Sequence, residues 1–174
     1  MNKPHLLKKT SLAILLIIAT TAVWLTRDQR QLNGTLKRLQ KLVSKSEEEK
    51  TAGGLSRAKE IAGYFTASID VALGSPWPAF EDRNDLVAAI RHARSMVQAI
   101  QVTIRNKTLD INPDRKSATM VFAAEVVVSA SGQTDRDIRE LCLHWVKPQG
   151  KWLISRVELK ETIRRPQGLG GTDF

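Results

Sequence analysis

A single cysteine in 174 residues rules out an intramolecular disulfide, and no CxxC pair or His/Cys cluster stands at a spacing that would hold zinc. Histidine is nearly as scarce. His5, His92 and His144 fall in separate segments with no i, i+4 pairing, so no metal site and no cofactor is expected. Aromatic residues make up 5% of the chain, with one tyrosine and four tryptophans, so each large ring is a position to account for. Acid is lacking at the start. Residues 1–27 hold four Lys or Arg and no Asp or Glu, and residues 1–50 hold most of the formal net charge of +9. The remainder is basic by only +3 with acids interspersed. That is not the dense one-sided cationic face that phosphate binding needs, so no nucleic-acid partner is expected.

Uncharged apolar sequence is concentrated in one place. Thr10 to Thr26 runs seventeen residues without a charge, behind Lys3, Lys8 and Lys9 and ahead of Arg27. A cleaved signal peptide needs an apolar run of about 7 to 15 residues and a small-residue cleavage site. A spanning helix needs about 17 to 25 residues. A buried helix of a soluble domain is the third option. Thr20-Thr21-Ala22 is the best cleavage candidate, yet bulky Val23, Trp24 and Leu25 follow it at once, and Trp24 suits an interfacial anchor. The residues favour an uncleaved single-pass anchor over 10–26, contacting the lipid bilayer. The lysines place the N-terminus in the cytoplasm and the remaining chain outside, in the periplasm if the cell is bacterial.

Leu32, Leu36, Leu39 and Val43 then form one apolar helical seam, short and interrupted by Gly34, on which a homodimer could form. Residues 28–54 are expected to be a stalk and hinge ending in Gly53-Gly54, residues 55–165 the domain and residues 166–174 a disordered tail. Leu55, Ala58, Ala62, Phe65, Ile69, Ala72 and Leu73 predict a first helix ended by Gly74 and Pro76, with Tyr64 beside the stripe. After a loop containing Trp77, "NDLVAAIRHARSMVQAI" predicts a second helix, capped by Asn84 or Asp82, burying Leu86, Val87, Ile90, Ala93, Val97 and Ile100. Strands are predicted over 102–111, 117–129, 136–147 and 151–162. Helices followed by strands define an α+β fold, N-terminal helices on a bent, cone-like antiparallel sheet of about four strands.

The turn Lys147-Pro148-Gln149-Gly150-Lys151 predicts a three-residue hairpin loop with a left-handed Gly150. That register sets Trp145 opposite Leu153, Leu143 opposite Ser155 and Leu141 opposite Val157. One face then collects Leu141, Leu143, Trp145, Leu153, Val157 and Leu159, and must be the core face. The other collects Glu140, Cys142, His144, Val146, Trp152, Ile154, Arg156 and Glu158. Cys142 and His144, two apart on one strand, read as too distant for a thiolate–imidazole pair, so no catalytic residue is expected. A two-residue tip at Ser-Gly-Gln would set Glu125 opposite Glu140 in a row with Glu158. The row reads as a solvated face; a general acid/base cluster is the sharper alternative.

"FEDRNDLVAAIRHAR" followed by strands ending in "RELCLHWVKPQGKWLISRVEL" resembles the nuclear transport factor 2-like, or SnoaL-like, superfamily, from about Leu55 to Arg164. Its last hairpin often reads as an apolar strand, a Gly turn and Trp-x-Ile, here Leu143-His144-Trp145-Val146, Gly150 and Trp152-Leu153-Ile154. The resemblance implies a bent sheet wrapped around helices. In ketosteroid-isomerase-like members it implies a tyrosine on an early helix, and Tyr64 stands at about that place. Members span isomerases, cyclases, hydrolases and non-catalytic domains. A membrane anchor followed by such a domain is similar to bacterial envelope assembly proteins, in which the domain is an interaction module. The expected function is therefore a membrane-anchored, extracytoplasmic protein-interaction module with a protein partner in the envelope, contacted through Glu125, Glu140, Trp152 and Arg156. The alternative is a small-molecule-binding or enzymatic domain with a pocket lined by Tyr64, Trp77 and Trp145.

Overall fold

A computed structural model describes residues 26–49, 53–74 and 79–162. The expected anchor over 10–26, save Thr26, lies outside the described residues, as do Trp77 and the expected tail. Among the described residues no helix is long and apolar enough to cross a membrane. The chain divides into two compact units, residues 1–36 and residues 37–174. In the first, Leu32 and Leu36 of the expected seam are buried, and so is Asp28.

Residues 26–43 are helical (α1). Beyond the helix the chain joins the domain directly: Lys45 pairs its backbone with Ile100 in both directions, and Gln40 Nε2 donates to the Val102 carbonyl. Residues 40–45 are therefore part of the folded body and not a free-standing stalk. Helix α2 spans Gly54–Ala62 and buries Ala58, Ile61 and Ala62. It ends eleven residues earlier than its apolar stripe, which runs to Leu73, predicts. Gly63 N–H closes onto Lys59 O, Tyr64 N–H onto Ile61 O, and Phe65–Ala72 form a strand, β1. The same residues satisfy two periods. Phe65 and Ile69 continue the helical stripe, but Ile69 and Val71 are buried between exposed Ser68, Asp70 and Ala72, a period of two carried by β-branched side chains. Tyr64 O accepts from Ile154 N–H at 2.8 Å, and this pairing with the last strand decides between them.

A short strand β2 (Phe80–Asp82) leads into α3 (Arg83–Met96). Asp82 is the N-cap, its carboxylate accepting from Asn84 N–H at 2.6 Å. Helices α2 and α3 pack on each other, and α3 on β1 and β2. Three long strands follow, β3 (Ala99–Ile111), β4 (Ser117–Ala130) and β5 (Gln133–Val146), and then β6 (Leu153–Thr162). The sheet has six strands in the order β2-β1-β6-β5-β4-β3, not about four. Neighbours are antiparallel except β1 and β6, which run parallel. The two extra strands lie in the stretch that the sequence pattern assigns to helix and loop.

Ala118, Met120, Phe122 and Ala124 of β4 are buried in strict alternation and share a face with Leu141, Leu143 and Trp145 of β5. Ile154 and Val157 of β6 and Val71 of β1 join it. This is the expected core face, with one exchange. Trp145 pairs with Ile154, and Val146 with Leu153, whereas His144 pairs with Arg156 and Leu143 with Val157. Ser155 is the extra residue of a bulge. The turn is longer than the three-residue loop, because Gln149 (φ 51°) joins Gly150 (φ 81°) in the left-handed region and Lys147 N–H turns away to Lys116 O. Leu153 therefore leaves the core face and Ile154 enters it. Trp152, expected outside, is 2% exposed, with Lys147 Nζ 5.1 Å from its ring centroid.

Candidate functional site

The β4–β5 hairpin is tipped by Ser131 (φ 50°) and Gly132 (φ 78°), a two-residue turn of type I′ that aligns Ala130 with Gln133. Its tip is one residue earlier than Gly-Gln. Glu125 therefore opposes Ile138, and Glu140 opposes Ala123, so the expected Glu125–Glu140 pairing does not form. Both acids do point to the face opposite the core. Glu125 is held by two arginines, Arg136 Nη2 at 2.7 Å and Arg105 Nη2 at 3.2 Å. Arg156 Nε bridges Asp70 at 2.9 Å and Glu158 at 2.8 Å, and Lys160 lies 3.6 Å from Glu158. The outer face is thus a lattice of alternating charges, half open to solvent.

Within it the structure brings together three residues that the sequence reading separates. Cys142 Sγ lies 3.5 Å from His144 Nε2, and His144 Nε2 lies 3.4 Å from Glu158 Oε2. The three atoms all fall within 4.8 Å of one another. Residues i and i+2 sit about 7 Å apart along a strand, but the imidazole is long enough to reach back across that gap, and Glu158 is the direct cross-strand partner of Cys142. The only signal available was Cys-x-His on one strand, and the expected register set Arg156, not Glu158, opposite Cys142. Burial raises the Cys142 thiol pKa, opposed by Lys160 and reinforced by Glu158. The His144 hydrogen bond, with Arg156 and Lys160 nearby, holds the Glu158 carboxyl below its usual range.

Of the residues expected to line a pocket, Trp77 lies outside the described residues, and Tyr64 and Trp145 line no common cleft. Trp145 is fully buried, its Nε1 without a hydrogen-bond partner among the described residues. Tyr64 follows α2 instead of lying on it, and borders an open cleft of about 760 Å³ with Arg38, Lys41, Lys45, Glu49, Arg57 and Glu60. Much of that charge is already engaged. Lys45 Nζ donates to the Arg94 and Val97 carbonyls, Arg57 pairs with Glu60, and Arg94 with Glu49. The central part of the core face carries no ionisable group among residues 118–124 of β4 and 141–145 of its β5 partner other than those directed outward. Asp137 and Arg139 share that face near the start of β5, where they bind each other at 2.6 Å and Arg139 reaches Leu73 O.

Helices against a six-stranded, cone-like sheet with this order define an α+β fold of the nuclear transport factor 2 type. A family model described as a SnoaL-like domain matches residues 55–158, and the chain belongs to that family. Among solved structures the chain is similar to an NTF2-like protein with a cystatin-like fold from Novosphingobium aromaticivorans (TM-score 0.65, 14% identity, covering 81% of this chain and 86% of that one). A protein provisionally assigned as a scytalone dehydratase from the same organism aligns with TM-score 0.62 and 12% identity over 85% and 97% of the two chains. Aln2 from a Streptomyces species aligns with TM-score 0.62 and 12% identity over 78% and 91%. At such identities the likeness is one of fold. No curated protein sequence matches the chain.

Proposed function

We propose that this SnoaL-like domain works by contact and not by catalysis. It is a recognition module held at a membrane by residues 10–26, its body on the extracytoplasmic side, presenting the outer face of β4, β5 and β6 to a protein partner. One observation carries this reading. The central core face, residues 118–124 of β4 and 141–145 of β5, directs no ionisable group into the cone, whereas the outer face carries Glu140, the Glu125 carboxylate between Arg105 and Arg136, and a half-exposed Arg156 between Asp70 and Glu158. Partly exposed opposite charges give specificity and steering more than raw affinity. Tethering confines such a face to a plane and raises its effective concentration toward membrane partners.

Charge reversal tests the reading. Glu125→Arg together with Arg136→Glu and Arg156→Glu, in the full chain in its native membrane, is expected to abolish co-purification of the partner while leaving the melting temperature of the purified chain within a few degrees. Undiminished co-purification, or a small molecule retained in the wild-type cone and converted on incubation, contradicts it.

A further inference from the structure

Cys142, His144 and Glu158 meet in an arrangement that a proton relay does not explain. Sγ and Oε2 both approach the same ring nitrogen, His144 Nε2, at 3.5 and 3.4 Å. A thiol–imidazole–carboxylate relay uses the two ring nitrogens separately, one to accept the thiol proton and the other to donate to the carboxylate. One nitrogen cannot do both. Three donor atoms within 4.8 Å of one another, two of them close to the third, are also the pattern of a shared centre, and the short distances have a definite scale. With metal–sulfur bonds of about 2.3 Å and metal–nitrogen or metal–oxygen bonds of about 2.0 to 2.1 Å, the edges of a tetrahedron are roughly 3.3 to 3.6 Å. The separations from Nε2 to both partners match such edges.

We propose that Cys142 Sγ, His144 Nε2 and Glu158 Oε2 form a three-ligand site for a divalent cation of the zinc class, with a fourth position open to water. The donor set selects the ion. A thiolate and an imidazole with one carboxylate suit zinc, and magnesium or calcium would need an all-oxygen cage. Cys142 is the deep ligand at 2% exposure, while the His144 and Glu158 side chains are 36% and 22% exposed, so the open position faces solvent. The surroundings orient the carboxylate. Arg156 Nε holds the other oxygen, Oε1, at 2.8 Å and is itself held by Asp70, as outer-shell partners of metal ligands are. Lys160 Nζ, 3.6 Å from Oε2 and half exposed, is the cation that a metal ion would displace from that carboxylate into solvent. Binding releases the thiol proton.

Cobalt titration of the full-length chain, purified in detergent without a histidine tag, tests the site. Wild type is expected to give thiolate-to-cobalt charge-transfer absorption that saturates at a single equivalent and is bleached by zinc. Cys142→Ser removes that band, and His144→Ala and Glu158→Gln each weaken cobalt binding by more than about tenfold, while His5→Ala and His92→Ala do not. Metal-free melting curves check that each variant folds. If one does not, the wild-type spectrum still decides. Wild type without a thiolate–cobalt band overturns the proposal, and so does a band that keeps its affinity in folded His144→Ala and Glu158→Gln.

Discussion

Arg94 is the residue on which the helical side of the domain turns. It is 5% exposed, and its guanidinium donates to the Leu42 and Val43 carbonyls at the end of α1 and binds Glu49 at 2.6 Å. A cation on the last carbonyls of a helix satisfies acceptors that have no intrahelical partner. Removing it strands those carbonyls, so Arg94→Met is expected to cost about 3 kcal/mol in denaturant unfolding, and Arg94→Lys, which keeps the charge and loses the fork, less. Cys142 and Glu158 each add a pH-dependent contribution to the stability of the metal-free protein. The folded thiol holds its proton more tightly than the unfolded one, so stability falls as pH rises above the ordinary thiol range. The folded carboxyl holds its proton less tightly, so its contribution is present above the ordinary carboxylate range and lost as pH falls below it. Denaturation midpoints across pH are expected to flatten on the alkaline side in Cys142→Ser and on the acid side in Glu158→Gln.

At the scale of elements, local chemistry and long-range pairing divide the fold between them. Strands β3 to β6 were legible to within a few residues because alternation and turn residues are local signals, and α3 was legible with its cap. Asp82→Ala is expected to lower stability by about 1 kcal/mol, measured by thermal unfolding, because it removes the acceptor for Asn84 N–H. Strand β1 was not legible, since its parallel partner β6 lies some eighty residues away and its side chains also satisfy a helical stripe. The last hairpin failed in a more instructive way. Lys147-Pro148-Gln149-Gly150 signals a turn, but whether Gln149 also turns left-handed depends on Lys147 N–H reaching Lys116 O on another loop. That choice, with the bulge at Ser155, buried Trp152 and Ile154 and moved Leu153 outward. Trp145 kept its expected face, because the core face of β5 is fixed by its pairing with β4. The tip of the β4–β5 hairpin makes a further check. Gly132 at φ 78° sits in a type I′ turn, and Gly132→Val is expected to destabilise by about 1 kcal/mol or more with no change to the core.

For the whole molecule, the SnoaL-like family fixes the architecture and leaves the work to be assigned by where charge and apolar surface fall. Apolar side chains fill the central core face and ion pairs cover the outer one. Of the candidate site, Glu125, Glu140 and Arg156 were legible as outer-face residues from alternation alone. The Cys142–His144–Glu158 cluster was not, because it depends on a side chain reaching back along its strand. The most direct test of function by contact is site-specific photocrosslinking in intact cells, with the photoreactive residue at Glu140 or Arg156 on the outer face and at Met120 in the core. Function by contact predicts a discrete protein adduct from the two outer positions and none from Met120. Adducts absent from both outer positions, with a small molecule crosslinked at Met120, would contradict it.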